Sequence, residues 1–213
     1  MISTITRLCL VRHGETAWNA EGRVQGQTDV PLNAIGTAQA GAVGAALALE
    51  RFAAIYSSDL TRVRQTAEPA ARRLGLEVRY DPALRERHYG MFETLTYAEV
   101  RERFREDYAR FKRKDLDYDF RTGESLRCFN ERALGCATAL ASRHRGETIL
   151  VFTHGGVLEM IYRHATGIGL SVRREFEIPN GAINWVEASG ESWSVQRWAE
   201  LAHLDNPLDD LPD

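Results

Sequence analysis

The chain has 213 residues, of which 44% are hydrophobic and 27% charged, with a formal net charge of −3. This length suits one well-buried domain and is short for two, and the balance is that of an ordinary globular protein. So slight an acidic excess gives no electrostatic reason to expect nucleic acid and argues against a basic membrane-binding face.

In chain order, Met1-Ile2-Ser3-Thr4-Ile5-Thr6-Arg7 lacks the charged-then-apolar layout of a signal peptide, and no later run approaches membrane-spanning length. Leu8 to Val11 is an apolar run that predicts a buried strand, with Cys9 as a small buried hydrophobe. Asn33 is placed to cap an alanine-rich helix through about Leu49, with Ile35, Ala38, Ala42, Val43 and Ala46 toward one face. Ala53 to Tyr56 predicts a second strand. Leu60 to Leu74 predicts a helix ended by Gly75, with Pro69 expected to kink or interrupt it. Leu76 to Tyr80 predicts a third strand. Thr96 to Lys114 reads as one long, heavily charged helix carrying Tyr97, Phe104, Tyr108 and Phe111. Within it, the stretch Arg101 to Lys114 has a salt-bridged solvated face as its default, and its position makes it a candidate lid. Glu124 to His144 predicts an amphipathic helix with Leu126, Phe129, Ala133, Ala137 and Leu140 inward. Thr148 to Phe152 predicts a strand, Gly156 to Thr166 a helix, and Ala182 to Ala188 and Trp193 to Trp198 two final strands. Strands alternating with helices predict an α/β fold, a three-layer α/β/α sandwich with a mostly parallel central sheet. Residues 1–203 read as one domain, and the acidic, proline-punctuated stretch 204–213 as a C-terminal tail for which disorder is expected. Cys9, Cys128 and Cys136 show neither a CxxC pair nor metal-type spacing, which points to a reduced, cytoplasmic setting.

Two junctions carry the chemistry. Leu8-Cys9-Leu10-Val11 runs into Arg12-His13-Gly14-Glu15-Thr16, and Ile149-Leu150-Val151-Phe152 runs into Thr153-His154-Gly155-Gly156. Each delivers a histidine at the carboxyl end of a buried strand, the edge at which open α/β sheets bind ligands. Two histidines delivered alike predict one site built from distant segments. Gly14 lets the backbone approach a ligand closely, and Arg12 offers a planar fork suited to phosphate oxygens. An isolated Arg-His-Gly is more often an ordinary surface loop. The polar, glycine-punctuated continuation through Asn19, Gly22-Arg23-Val24-Gln25-Gly26 and Asp29-Val30-Pro31-Leu32-Asn33 shifts that balance toward a site.

Taken together, the segments resemble the histidine phosphatase superfamily, in the branch that includes cofactor-dependent phosphoglycerate mutases and related small phosphatases. The resemblance is carried by Leu10-Val11-Arg12-His13-Gly14-Glu15-Thr16-Ala17-Trp18-Asn19, Asp29 to Gly36, and Ser57-Ser58-Asp59-Leu60-Thr61-Arg62-Val63-Arg64-Gln65-Thr66-Ala67. It continues through Leu84-Arg85-Glu86 with Tyr89-Gly90, Gly123-Glu124-Ser125 and Thr153-His154-Gly155-Gly156, all in the family's order, and the Asn180-Gly181-Ala182 turn extends it. It implies a phosphoglycerate mutase-like fold and catalytic residues His13, Glu86, Arg12, Arg62 and His154. His13 is then the nucleophile, and it has to be neutral near pH 7. Guanidinium groups on Arg12 and Arg62 favour that state and stabilise the transferring phosphoryl oxygens. His154 is expected to donate a hydrogen bond to another of those oxygens. Gly155 follows His154, so no aspartate stands there to act as the acid, and the resemblance assigns proton donation to Glu86. Without that context Glu86 reads as a surface carboxylate pairing Arg85 or Arg87; Asp59 and Glu93 are weaker candidates for the acid. The choice of Arg62 over Arg64 comes from the family pattern alone. Asn19, Gln25, Thr16, Tyr89 and the helix-start amides at Gly155 and Gly156 are the expected substrate-side contacts.

No HExxH or CxxC pair occurs, so no catalytic metal is expected, and His88, His144, His164 and His203 read as ordinary surface or core histidines. The leading function is a phosphomonoester hydrolase acting through a phosphohistidine. A cofactor-dependent phosphoglycerate mutase is the alternative, and only then is 2,3-bisphosphoglycerate expected as a cofactor. A non-catalytic phospholigand-binding module is the third reading. The chain is compact between Glu86 and His154, where the family's mutases carry a longer basic insertion, and this favours the phosphatase. Phe92 stands where the family often has tryptophan and Thr94 where it often has glycine, so substrate assignments taken from close relatives carry less weight. Expected partners are a small phosphorylated metabolite and, as one candidate assembly, a second copy in a homodimer, with neither nucleic acid nor membrane.

Overall fold

Apolar runs too short for helices become strands, and alternation along them fills both sides of a sheet. The computed structural model describes residues 4–205 and Asp209. Its strands are β1 (Thr6–Arg12), β2 (Ala54–Ser57), β3 (Val78–Tyr80), β4 (Thr148–Thr153), β5 (Ile183–Ser189) and β6 (Ser192–Glu200). They form a six-stranded sheet in the order β3-β2-β4-β1-β5-β6. The β3-β2-β4-β1 portion is parallel, and β5 and β6 are added antiparallel. Leu8, Leu10, Ile149 and Val151 point to one face; Cys9, Val11, Leu150 and Phe152 point to the other. Central strands buried on both faces read as the continuous apolar runs seen in the sequence.

Helices cover both faces, giving the three-layer α/β/α arrangement. On one side, α2 (Ala34–Ala46) and α3 (Thr61–Leu74) meet the sheet through Val43, Val63, Ala67 and Ala70. On the other, α6 (Leu126–Arg143) and α7 (Gly155–Thr166) bury Leu126, Phe129, Ala133, Ala137 and Leu140 with Val157, Leu158 and Ile161. Each such side chain, fully buried, contributes about 1.5–3 kcal/mol for the larger hydrophobes. A short α1 (Ala17–Ala20), α4 (Tyr97–Arg103) and α5 (Arg105–Lys112) complete the helices. Among the described residues no helix is long and apolar enough to cross a membrane. The cysteines are all free thiols.

Three local expectations are corrected. The buried face of α2 is Gly36, Gln39, Ala40, Val43 and Gly44, while Ile35 is exposed. The glycines set this face, because they let the helix lie directly against other backbone. Pro69 does not interrupt α3, which runs unbroken from Thr61 to Leu74; tight packing against α2 outweighs the lost backbone bond. The stretch from Thr96 to Lys114 is two helices rather than one, broken at Phe104 (φ −131°, ψ 55°). The break lets Phe104 and Phe111 turn onto Phe92, at ring distances of 6.3 and 6.0 Å. Of the C-terminal tail, Leu204, Asp205 and Asp209 are described, and Asp209 forms an ion pair with Arg174 at 2.9 Å. The disorder expected for residues 206–208 and 210–213 lies outside the described residues.

Candidate active site

The parallel register pairs Arg12 with Thr153, and the ladder continues when the His13 amide donates to the Thr153 carbonyl at 3.0 Å. Adjacent strand ends therefore deliver His13 and His154 side by side, with ring centroids 5.2 Å apart, edge to face. On the other side of β4, Ser57 pairs with Phe152 and the Ser58 amide donates to Phe152. The chain then enters α3, whose first turn carries Arg62 to the same edge. Three segments far apart in sequence converge because three neighbouring parallel strands end there.

His13 is almost fully buried, and its Nδ1 lies 2.8 Å from the Gly14 carbonyl. A carbonyl can only accept, so in the neutral ring Nδ1 carries the proton and Nε2 the lone pair. Asn180 Nδ2 and the Gly181 amide hold the His13 carbonyl at 3.1 and 3.2 Å. Burial holds the imidazole well below its ordinary range, and the Arg62 and Arg12 guanidiniums push the same way. The sequence argument named only the guanidiniums; burial is the larger cause. Gly14 serves a different purpose from the one its sequence suggests. A Cβ there would meet the Gly36 carbonyl oxygen at 2.6 Å, so its closeness is to the start of α2 rather than to a ligand. The Gly14 amide donates to Thr66 Oγ1 at 3.0 Å, tying the loop to α3 as well.

Arg12 is 1% exposed and donates from Nη1 to the Ile178 carbonyl at 2.6 Å. Arg62, also buried, donates to the carbonyls of Thr28 at 3.0 Å and Gly26 at 2.7 Å. Burial lowers its pKa to about 10, against the pull of Glu86, and it remains a cation at neutrality. Arg64, two residues on, is exposed and lies over the Tyr80 ring, which separates the two arginines that spacing could not. His154 has both ring nitrogens engaged by protein. Arg62 Nη2 donates to its Nδ1 at 3.2 Å, so Nε2 carries the proton and faces Ser58 Oγ at 2.9 Å. Its pKa is likewise held low, first by burial and then by Arg62.

Glu86 is 7% exposed, and its carboxylate accepts from the backbone amides of Arg87 at 2.7 Å and Gly156 at 2.9 Å. Burial raises its pKa, while those amides and Arg62 partly oppose the rise. The anion at the start of α7 is thus a protein carboxylate, which occupies the Gly156 amide named for substrate. Arg132 on α6 grips the acid's segment from behind. It donates to the carbonyls of Ala83, Arg85 and Glu86 at 2.9 to 3.1 Å and pairs doubly with Glu124 at 2.7 Å. The alternative acids are accounted for elsewhere. Asp59 is bound in a two-pronged pair by Arg85, which holds its carboxyl below the usual range. Glu93 accepts the amides of Gln27, Thr28 and Tyr89 and so anchors the loop.

Arg12, His13, Asn19, Gln25, Arg62, Glu86 and Tyr89 line one cleft, joined by Arg23, Val24, Gly26 and Tyr97. His154, Thr16 and Gly155 do not line it. Thr16 caps α1: its hydroxyl accepts from the Asn19 amide and lies 2.9 Å from Asn19 Oδ1 and 3.0 Å from Gln25 Oε1, two acceptors that share its single proton. Tyr89 also borders an adjoining cavity with Arg87, Phe111, Lys114, Phe129, Gly156, Glu159 and Met160. Burial holds the Tyr89 phenol above its ordinary range, so it is a donor. Sequence reasoning missed Arg132, Ser58 and Thr66. The only signal for Arg132 was a charge on the inner flank of an amphipathic helix. Among the described residues, no group of three or more His, Cys, Asp or Glu side chains is placed to hold a metal ion.

The sequence profile of the histidine phosphatase superfamily (branch 1) matches residues 8–201. A protein named metal-independent phosphoserine phosphatase, from Arabidopsis thaliana, is 37% identical over 205 residues, covering 95% of this chain and 84% of the relative. Phosphoglycerate mutase-like protein 4 of the same plant is 39% identical over 202 residues, covering 93% and 86%. Among solved structures, YhfR of Bacillus stearothermophilus superposes with a TM-score of 0.86 at 32% identity, over 94% of this chain and 100% of that one. With its two histidines on adjoining strand ends and a profile match over nearly its whole length, the chain belongs to branch 1 of the histidine phosphatase superfamily.

Proposed function

We propose that this enzyme hydrolyses small phosphomonoesters through a phosphohistidine on His13. The observation that carries the reading is the opposed tuning of two buried groups beside one cleft. His13 is held neutral and Glu86 is held toward its acid form. Environments that push two titratable groups apart mark the base or nucleophile and the acid. His13 Nε2 attacks phosphorus in line, the bond to the leaving oxygen breaks, and Glu86 gives that oxygen a proton. Water then attacks the phosphohistidine while the Glu86 carboxylate takes its proton, which releases phosphate and restores neutral His13. Arg12 and Arg62 neutralise the phosphoryl oxygens. His154, with both ring nitrogens bonded to protein, acts by fixing the Arg62 guanidinium. Asn19, Gln25 and Tyr89 meet the substrate from the cleft wall.

The leaving group extends toward the cavity beyond Tyr89, whose lining includes Arg87, Lys114 and Glu159, with Lys114 paired to Glu159 at 3.3 Å. Such a mixed-charge pocket suits a compact leaving group bearing both carboxylate and ammonium, and similarity to a protein named phosphoserine phosphatase supports O-phosphoserine as the first substrate to try. The mutase-like relative keeps a second reading alive, in which the phosphoryl group returns to an organic acceptor. The deciding experiment measures phosphate release from O-phosphoserine, 3-phosphoglycerate and an aryl phosphate. Formation of 2-phosphoglycerate is followed in parallel, with and without 2,3-bisphosphoglycerate. Release led by phosphoserine is expected. Cofactor-dependent isomerisation with little release would make the enzyme a mutase, and silence in both assays would make the chain a binding module.

A further inference from the structure

We infer that Asp209, from the acidic C-terminal stretch, is a positioning residue for the phosphoryl-binding Arg12; this rests on the proposed role of Arg12. The Asp209 carboxylate bridges two arginines. Its Oδ1 lies 3.8 Å from Arg12 Nη1, and its Oδ2 accepts from Arg174 Nη1 at 2.9 Å and from the Ile178 amide at 2.9 Å. Ile178 closes the loop, since its own carbonyl accepts from Arg12 Nη1 at 2.6 Å. Arg174 is itself buried and braced on the Phe176 carbonyl at 2.7 Å, so the carboxylate is fixed at one oxygen and presents the other to Arg12. The same short segment continues to Asn180, which bonds the His13 carbonyl.

The physical need is plain. Arg12 and Arg62 are both buried cations beside one cleft, and a buried charge is costly unless it is paired. A guanidinium aimed at a phosphoryl group has to be held in one rotamer, or part of the binding energy goes into ordering it. Asp209 supplies both a counter-charge and a fixed direction, at a distance in sequence that no local motif could show.

The test is calorimetric titration of the full-length wild type, Asp209→Asn, Asp209→Glu and Arg174→Gln with inorganic phosphate. It is read beside kcat/KM for an aryl phosphate and the thermal midpoint. Loss of an outer partner of a binding group typically costs about 10- to 100-fold. Asp209→Asn is therefore expected to weaken phosphate binding about tenfold and lower kcat/KM in step, and also to lower the midpoint, because two buried guanidiniums lose a counter-charge. Arg174→Gln should reproduce that signature, and Asp209→Glu should recover part of the loss. A purely structural role would move the midpoint and leave phosphate affinity intact. Phosphate affinity within twofold of wild type in both Asp209→Asn and Arg174→Gln, or tighter than wild type, would overturn the inference while leaving the hydrolase reading in place. A wild type that binds no phosphate would overturn both.

Discussion

His13 and Glu86 divide the chemistry, and their substitutions should fail differently. His13→Ala removes the atom that takes the phosphoryl group, so kcat/KM should fall by about ten-thousand-fold or more for every substrate, with the fold retained by circular dichroism. Glu86→Gln removes a proton donor worth about 10²- to 10⁴-fold. Its loss should be large for alkyl phosphates and small for aryl phosphates, whose leaving oxygens need no proton; equal losses would contradict the acid role. The pH profile follows from the same two groups. Turnover needs His13 without its proton and Glu86 with it. Burial lowers the first and raises the second. The acid limb of kcat/KM should therefore lie below the ordinary imidazole value of about 6.5, and the alkaline limb above the ordinary carboxylate value of about 4.3. For an alkyl phosphate, the residual activity of Glu86→Gln should lack the alkaline limb and keep the acid limb. An acid limb at or above pH 6.5 would contradict a neutral, buried nucleophile. The residues at strand ends were legible because Arg12-His13-Gly14 and Thr153-His154-Gly155 are local patterns. Asp209, Arg132 and Ser58 were not, because each acts through a contact with a distant segment and leaves no spacing to read.

At the scale of elements, the site depends on how closely α2 approaches the loop after β1. A Cβ on Gly36 would lie 2.0 Å from the Glu15 carbonyl oxygen, and one on Gly14 would strike Gly36. Gly36→Ala should therefore displace the loop that holds His13. A stability loss of about 1–3 kcal/mol by denaturant unfolding is expected, together with a larger proportional fall in kcat/KM. Loss of stability with full activity would mean that the loop is held by its strand instead. This contact also explains why the inward face of α2 was misread. Ile35, Ala38 and Ala42 look like its apolar stripe, yet a helix that must touch backbone turns its glycines inward. The same limit applies to Phe104. Nothing local in the charged run from Thr96 to Lys114 announces a break, because the cause is an aromatic cluster drawn from Phe92, Tyr118 and Phe120.

Across the whole molecule, two cores fill the sheet's faces and a third, smaller one holds α4 and α5 beside the cleft through Val24, Phe92, Val100, Tyr118 and Phe120. The reacting groups stand on β1, β4, α3 and the segment held by Arg132, outside that third cluster. Phe92 is fully buried within it. Phe92→Ala should cost about 3–5 kcal/mol of stability and raise KM for substrates with extended leaving groups, while kcat changes less. A collapse of kcat at unchanged KM would show instead that the third core supports the chemistry itself. The layered fold was legible from apolar runs alternating with amphipathic stretches, since Leu8 to Val11 and Ile149 to Phe152 admit few other uses. Substrate choice was not, because the cavity bordered by Arg87, Lys114 and Glu159 is assembled from three separate helical and loop segments.

The central claim is that the phosphoryl group passes through His13 Nε2. Rapid quenching of the enzyme mixed with a phosphorus-32-labelled substrate, followed by peptide mapping, tests it most directly. The predicted result is an acid-labile, base-stable label on the peptide containing His13, absent from His13→Ala and longer-lived in Glu86→Gln. Turnover with no covalent label, or a label that persists in His13→Ala, would contradict the account.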